Sequence, residues 1–172
     1  MTTWVVLAGL PAAGKSTLAR ALESRLDSVT LDKDRIRSAI FGERLTDYTR
    51  EQDDLCMRVM LDAAKYLTRR EHVAFIVFDG RTFSLKEQID EVVSAAERAG
   101  AAWRILHLSC SEEAAKERLN RVDAQHPARN RDLALYKGMQ QSFEAIPYRK
   151  LDIETTAGME TKLDAILSYL HE

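Results

Sequence analysis

The chain has 172 residues, for which one domain with a substantial hydrophobic core is the expectation. It is 45% hydrophobic and 30% charged, as globular proteins are, and its net charge of −2 gives no overall attraction to nucleic acid or membrane surfaces. No apolar run approaches the roughly 20 residues of a membrane-spanning helix, and the first apolar run does not resemble a signal peptide.

Short apolar runs alternate with helical patterns along the chain. The predicted strands are residues 4–8, 28–31, 73–78, 103–108 and 151–154. The predicted helices cover about 15–26, 32–42, 49–69, 85–99, 111–119, 133–146 and 163–170. Gly42 is expected to end the second helix, and residues 120–131 are expected to form a mobile loop.

This alternation predicts an α/β fold of three layers, in which helices cover both faces of a parallel sheet of five strands. Ligands of such folds bind beyond the carboxyl ends of the strands. Gly9, Asp32, Asp34 and Asp79 all follow predicted strands. They therefore mark the candidate site.

The first predicted strand is followed by a match to G-x-x-x-x-G-K-[ST]. The residues of this phosphate loop that we expect to bind ATP are Gly9, Pro11, Ala12, Ala13, Gly14, Lys15, Ser16 and Thr17. Backbone N–H groups of such a loop surround phosphates, and the next helix directs its positive end at them. Lys15 is expected to reach the β and γ phosphates, and the Ser16 hydroxyl to bind Mg²⁺.

Asp32 and Asp34 follow the second predicted strand, and Arg37 lies one helical turn beyond Asp34. Phosphoryl transfer to a hydroxyl needs one carboxylate that accepts the proton and others that hold Mg²⁺. Arg37 could contact the transferred phosphoryl group or an anionic acceptor. The alternative is that Asp32 only caps the short helix and that Asp34 lies in its first turn.

Asp79 ends the most apolar predicted strand, as a Walker B aspartate does. It could hold Mg²⁺ through a water or bind the acceptor, and the alternative is a turn aspartate before Gly80. Arg81 could face the acceptor or be an ordinary exposed arginine.

Four arginines cluster around the end of the fifth predicted helix and the loop after it, namely Arg118, Arg121, Arg129 and Arg131. Mobile arginines of this kind close over ATP in phosphoryl transfer and neutralise its charge. A solvated charged surface is the alternative for each of them. We expect Arg118 and Arg121 to contact the nucleotide.

Two isolated cysteines, Cys56 and Cys110, lack the spacing of a metal site. We therefore expect free thiols and a cytoplasmic protein.

Taken in order, these motifs resemble the polynucleotide-kinase-like P-loop kinases, a group that includes polynucleotide kinases, chloramphenicol phosphotransferase-like enzymes and zeta-toxin-like enzymes. The resemblance implies the kinase-type P-loop NTPase fold, with a helical lid over about residues 118–132. It also implies that Asp34 is the general base, that Arg37 contacts the acceptor phosphate and that Arg121 contacts the transferred group. Asp32 is similar to the first acid of the D-x-D of shikimate kinases, which helps to hold Mg²⁺. Many relatives have glycine where this chain has Ala12, so the loop is expected to be slightly stiffer here.

We expect an ATP- and Mg²⁺-dependent kinase that phosphorylates a hydroxyl of a small molecule. One alternative is a polynucleotide 5′-hydroxyl kinase, which the near-neutral charge disfavours unless a local basic groove exists. Another is a switch protein that binds ATP and hydrolyses it slowly. The sequence leaves the acceptor and the oligomeric state open.

Overall fold

A computed structural model describes residues 1–70, 72–120 and 133–172. The strands are β1 (Thr3–Ala8), β2 (Ser28–Asp32), β3 (Phe75–Asp79), β4 (Ala102–Ser109) and β5 (Leu151–Glu154). The helices are α1 (Lys15–Glu23), α2 (Lys33–Leu45), α3 (Arg50–Arg70), α4 (Lys86–Arg98), α5 (Glu112–Asn120), α6 (Leu133–Gln141) and α7 (Leu163–Leu170), and a 3₁₀ turn at Glu160–Lys162 precedes α7.

The five strands form one parallel sheet in the order β2-β3-β1-β4-β5. This confirms the predicted α/β fold with a five-stranded parallel sheet between helices. β1 lies at the centre, and its residues Trp4–Ala8 are fully buried. A strand that is covered on both faces carries a continuous apolar run, which is why β1 lacks polar alternation.

Two hydrophobic cores cover the faces of the sheet. On one face, Trp4 and Phe78 of the sheet pack with Met57 and Met60 of α3 and with Ile89 of α4. The core of the other face is formed by strands β1, β3, β4 and β5 together with α1 and α7, and it includes Leu18, Leu22 and Ile166. Because both faces are covered, the open carboxyl edge is where polar side chains can meet a ligand.

Some predicted helix ends are wrong. Gly42 interrupts α2 with φ 60° and ψ −176°, as expected of a helix-ending glycine, but helical structure resumes and reaches Leu45. The carbonyl groups there are satisfied, because Thr46 Oγ1 donates to the Gly42 oxygen at 2.6 Å and Gln52 Nε2 donates to the Leu45 oxygen at 2.8 Å. α6 ends at Gln141, before the predicted end near residue 146.

Residues 118–120 of the predicted lid lie in α5, and the rest of it lies outside the described residues. Among the helices that the structure describes, none has both the length and the apolar character needed to cross a membrane.

Candidate active site

The phosphate loop joins the end of β1 to the start of α1. Gly9 and Gly14 have φ values of 142° and 95°, which disfavour residues with a side chain. A Cβ atom on Gly9 would lie 2.2 Å from the carbonyl oxygen of Leu108, so only glycine fits beside β4. The glycines of the motif are therefore required by backbone conformation and by this close approach.

Lys15 folds back over the loop. Its Nζ donates to the carbonyl oxygens of Gly9 at 2.7 Å and Leu10 at 2.9 Å. The ammonium group thus lies within the curve of the loop, where the motif predicts the β and γ phosphates.

Ala12 also has a left-handed conformation, with φ 63°. Its carbonyl oxygen accepts a hydrogen bond from Arg118 Nη1 at 3.1 Å and lies 3.8 Å from Cys110 Sγ. This conformation costs an alanine about 1–2 kcal/mol more than a glycine. The backbone at Ala12 is therefore strained, and the hydrogen bond from Arg118 of α5 stabilises it in this conformation. That the loop is stiffer than in its relatives stays a prediction.

Arg118 also binds Thr155, which follows β5. Arg118 Nη1 donates to Thr155 Oγ1 at 3.0 Å, and Nη2 donates to the Thr155 carbonyl oxygen at 2.6 Å. Thr155 Oγ1 lies 3.0 Å from the carbonyl oxygen of Ala13. Arg118 therefore lies at the phosphate loop, but the contacts shown are with backbone and with Thr155, and its contact with nucleotide stays a prediction. Thr155 could not be predicted from the sequence, because no pattern distinguishes a single threonine after a short strand.

The two predicted metal-binding aspartates lie on neighbouring strands. The register of β2 and β3 pairs Asp32 with Asp79. Gly80 allows this close approach, since a Cβ atom there would lie 2.9 Å from the backbone nitrogen of Lys33 and 3.0 Å from Asp32 Oδ1. Burial, and secondarily the charge of Asp79, raise the pKa of Asp32.

Asp32 is also the N-cap of α2. Its Oδ1 accepts hydrogen bonds from the backbone nitrogens of Asp34 at 2.9 Å and Arg35 at 3.2 Å. The capping alternative is therefore present in the structure. Because this interaction uses Oδ1, Oδ2 lies outside the cap, with Arg35 Nε 3.7 Å away.

The residues at this edge fit a magnesium ion. Asp79 is 1% exposed, and its Oδ1 has no hydrogen-bond partner among the described residues. An unpaired buried carboxylate oxygen is costly, and a cation beside the Asp32–Asp79 pair would compensate it. Mg²⁺ commonly takes only one or two protein carboxylates together with water and phosphate oxygens. This agrees with the described part of the chain, where no group of three or more His, Cys, Asp or Glu residues could hold a metal.

Asp34 and Arg37 form the predicted pair on α2. Arg37 Nη1 donates to Asp34 Oδ1 at 2.6 Å, and the Arg37 side chain is only 3% exposed. Arg37 Nη2 is ion-paired with Asp53 of α3, and Lys33 Nζ lies 2.8 Å from Asp53 Oδ2. We call Lys33, Asp34, Arg37 and Asp53 the acceptor-side network. Burial lowers the pKa of Lys33 to about 8.

Arg81 lies next to this network. It follows β3, is 6% exposed, and its Nη2 donates to Asp54 Oδ1 at 2.9 Å. Arg81 is thus buried and paired, unlike the exposed arginine that sequence analysis left as an alternative.

No sequence pattern predicted a place in the site for Lys33, Asp53 or Asp54. The two aspartates lie on a long amphipathic helix, where adjacent acids are ordinarily part of the solvated face. Only the packing of α3 on α2 shows that they meet buried cations. The predicted site residue Arg121 lies outside the described residues, as do Arg129 and Arg131.

Residues 5–146 match the family model AAA_33, which describes an AAA domain. The chain belongs to the AAA_33 family. The matched range includes the phosphate loop, both strand-end aspartates and the acceptor-side network. No curated protein sequence matches the chain significantly.

Solved structures share the fold over nearly the whole chain. A candidate kinase from Chloroflexus aurantiacus J-10-fl has a TM-score of 0.77 at 20% identity, with 99% of this chain and 97% of that chain covered. The APS kinase CysC of Mycobacterium tuberculosis, in complex with AMPPNP and APS, has a TM-score of 0.73 at 16% identity, with coverages of 99% and 98%. Kti12 of Chaetomium thermophilum, in complex with ADP-AlF3, has a TM-score of 0.65 at 15% identity, with coverages of 97% and 98%. At these identities the likeness establishes the fold.

Proposed function

We propose that the protein is an ATP-dependent kinase of the polynucleotide-kinase-like group that transfers the γ-phosphoryl group to a hydroxyl of a small molecule. The observation that carries the proposal is the position of the Asp34–Arg37 pair. It lies at the carboxyl edge of the sheet, and β3 alone separates its strand, β2, from β1 and the phosphate loop. A protein that only binds and hydrolyses ATP has no need of a carboxylate held for an acceptor hydroxyl.

Asp34 is the proposed general base. Its side chain is 12% exposed, so it is accessible yet held by Arg37 Nη1. During transfer the acceptor oxygen forms a bond to the γ-phosphorus, the hydroxyl proton moves to a carboxylate oxygen of Asp34, and the bond to the β-phosphate oxygen breaks to leave ADP. Arg37 keeps that carboxylate oriented toward the hydroxyl.

The phosphate loop and Lys15 hold the nucleotide in this proposal. Backbone N–H groups of the loop surround the phosphates, while the Lys15 ammonium exchanges its carbonyl partners for β and γ oxygens. Arg118 and Arg121 are proposed to complete the nucleotide site from the lid. The fold is shared with proteins solved with AMPPNP and with ADP-AlF3, which supports a nucleotide at this loop.

Ser16, Asp32 and Asp79 are the residues proposed to hold Mg²⁺. When bound there, the ion would neutralise charge on the phosphates. The unpartnered Oδ1 of Asp79 is the observation that favours this assignment. Asp79 and Arg81 are also proposed to bind the acceptor. Asp79 pairs in register with Asp32, which precedes Lys33, and Arg81 is paired with Asp54, which follows Asp53.

We propose a cytoplasmic location for this enzyme. Both cysteines are free, Cys56 is buried in the protein, and burial raises the pKa of the Cys56 and Cys110 thiols. Unreactive free thiols are the ordinary state in a reducing compartment.

The test is a screen of hydroxyl compounds with γ-labelled ATP and Mg²⁺. Small polyols, sugars, nucleosides and 5′-hydroxyl oligonucleotides serve as acceptors, and the label is followed both into product and into inorganic phosphate. Transfer to a small acceptor is the expected result. Label released only as inorganic phosphate would favour the switch protein, and transfer only to oligonucleotides would favour the polynucleotide kinase.

A binding titration distinguishes a small-molecule acceptor from a polynucleotide acceptor without requiring turnover. We expect a labelled single-stranded oligonucleotide to bind weakly, with little difference between two salt concentrations. Tight binding with a steep dependence on salt would indicate that several phosphates are neutralised by the protein, and would contradict a small acceptor.

A further inference from the structure

Among the residues that the structure describes, the cations nearest to the proposed acceptor site are buried and paired with carboxylates. From this we infer that the acceptor is uncharged where it meets α2 and α3, and that Asp53 is the residue that sets this specificity. The inference rests on the proposed function, and it departs from the role that the family resemblance gives to Arg37, which is contact with an acceptor phosphate.

Arg37 is already paired with two carboxylates. One terminal nitrogen donates to Asp34 and the other is paired with Asp53, and the guanidinium carbon lies 5.1 Å from the centre of the Tyr48 ring. Each terminal nitrogen keeps a second N–H group, and Nε is buried without a hydrogen-bond partner among the described residues. Bidentate recognition of phosphate or carboxylate requires two free N–H groups on the same edge of the guanidinium. The Arg37 side chain is only 3% exposed, so an anion could reach such an edge only by displacing one of the two carboxylates.

Lys33 and Arg81 are in a similar position. The Lys33 side chain is 8% exposed and paired with Asp53. The Arg81 side chain is 6% exposed and paired with Asp54 through Nη2, while its Nη1 is buried without a hydrogen-bond partner among the described residues. The three cations thus face three carboxylates, Asp34, Asp53 and Asp54, and their formal charges cancel. An anionic acceptor would add an uncompensated charge to this site, which also adjoins the Asp32–Asp79 pair. Hydroxyl groups of a neutral acceptor can instead donate hydrogen bonds to the carboxylates.

Two further basic residues, in the first turns of α2 and α3, do not change this charge balance. Arg35 and Arg50 have side chains that are 78% and 68% exposed, so water screens them. Arg35 is also paired with Asp32, and Arg50 is paired with Asp54 and Glu87. These ion pairs further weaken the electrostatic attraction of the two arginines for an anion.

Asp53 is the shared partner that makes the network neutral. It pairs with Lys33 through Oδ2 and with Arg37 through Oδ1, and it comes from a different helix than either cation. Replacing its carboxylate with an amide leaves Lys33 and Arg37 facing only Asp34. The site then carries an excess positive charge and a guanidinium nitrogen without a charged partner, both of which favour an anion.

The first experiment measures anion binding without requiring any acceptor. Wild type, Asp53→Asn and Asp62→Asn are saturated with AMPPNP and Mg²⁺, so that the phosphate loop is occupied, and inorganic phosphate is titrated by calorimetry. Asp62 is the matched control, because it lies on the same helix with a side chain that is 77% exposed. We expect no saturable binding at millimolar phosphate for wild type or Asp62→Asn. Asp53→Asn is expected to bind phosphate at least about tenfold more tightly than wild type does. Phosphate binding by wild type as tight as by Asp53→Asn overturns the inference.

The second experiment compares matched acceptors with γ-labelled ATP. The pairs are a nucleoside with its 3′-phosphate and a sugar with its phosphate. Wild type is expected to favour the uncharged member of each pair in kcat/KM, and Asp53→Asn is expected to reduce that preference by about tenfold. A wild-type preference for the phosphorylated members overturns the inference, and this arm decides even if Asp53→Asn does not fold. Absence of transfer to every hydroxyl would contradict the proposed function, while the phosphate titration would still decide the role of Asp53.

Discussion

The phosphate loop is formed by the backbone of one continuous segment, whereas the proposed acceptor side consists of charged side chains from α2, α3 and the end of β3. The loop depends on positive φ values at Gly9, Ala12 and Gly14. The acceptor side depends on ion pairs, with Asp53 as the shared partner of Lys33 and Arg37. Changes of backbone freedom should therefore affect the phosphate loop most, and changes of charge or pH should affect the proposed acceptor side most.

The largest expected effect in the phosphate loop is that of Lys15→Ala. The substitution removes the ammonium that lies against the loop carbonyls and that we expect to reach the β and γ phosphates. Turnover should fall by about 10³-fold or more, because one preorganised donor to the transferred group is lost. Steady-state transfer of labelled phosphate measures this, with retained circular dichroism as evidence of folding. Lys65→Ala, on α3, is the control, and wild-type turnover in Lys15→Ala would exclude this loop as the catalytic phosphate site.

On the acceptor side, Lys33 should make stability depend on alkaline pH. The pKa of Lys33 is about 8 in the folded protein and 10.5 without burial. Between these values the unfolded chain holds a proton that the folded protein has released, so this group raises the free energy of unfolding as pH increases. Below pH 8 the buried charge of Lys33 lowers the free energy of unfolding by its full amount. As Lys33 loses its proton, the free energy of unfolding rises by about 3 kcal/mol toward pH 10.5.

Urea unfolding at several pH values measures this effect as the difference between wild type and Lys33→Met. The difference is needed because raised pKa values of Cys56, Cys110, Tyr136 and Tyr148 give the opposite slope in both proteins. The stability of wild type relative to Lys33→Met should rise from pH 8 upward. A difference that does not depend on pH would show that Lys33 is not the buried cation described above.

The smallest effect is expected for Ala12→Gly. Glycine relieves the left-handed backbone at φ 63° but has more conformational freedom in the unfolded chain. The net gain in the free energy of unfolding should be about 0.5–1 kcal/mol. Ala99→Gly, at the C-cap of α4 with φ −84°, is the control and should lose stability. A loss in both variants would contradict strain at Ala12.

The same contrast explains what could be predicted from the sequence. The phosphate loop is contiguous, so its residues, spacing and flanking elements are all visible in one segment. The strand predicted over residues 73–78 corresponds to β3, which the structure places at Phe75–Asp79. It could be predicted because a parallel strand buried on both faces has a continuous apolar run. These local features also predicted the α/β fold that the structure confirms.

The acceptor side could be predicted only in part. Asp34 and Arg37 lie one helical turn apart, so their spacing indicates a pair. Asp53 lies on another helix, and no local signal shows that it meets Lys33 and Arg37. Thr155 likewise reaches the phosphate loop only through the position of β5 beside β4. Contacts between distant segments follow from packing, which periodicity does not specify.

The proposed function depends most directly on Asp34 as the residue that accepts the proton of the acceptor. The measurement is the initial rate of labelled phosphoryl transfer as a function of Mg²⁺ concentration for wild type, Asp34→Asn and Asp32→Asn, with the acceptor found in the screen. Asp34→Asn keeps the shape of the side chain but cannot accept a proton, so transfer should fall by about 10²–10⁴-fold while ATP binding is retained. Asp32→Asn should instead raise the Mg²⁺ concentration that half-maximal activity requires. Wild-type transfer by Asp34→Asn, or an exchange of the two phenotypes, would contradict the assignment of the base to Asp34.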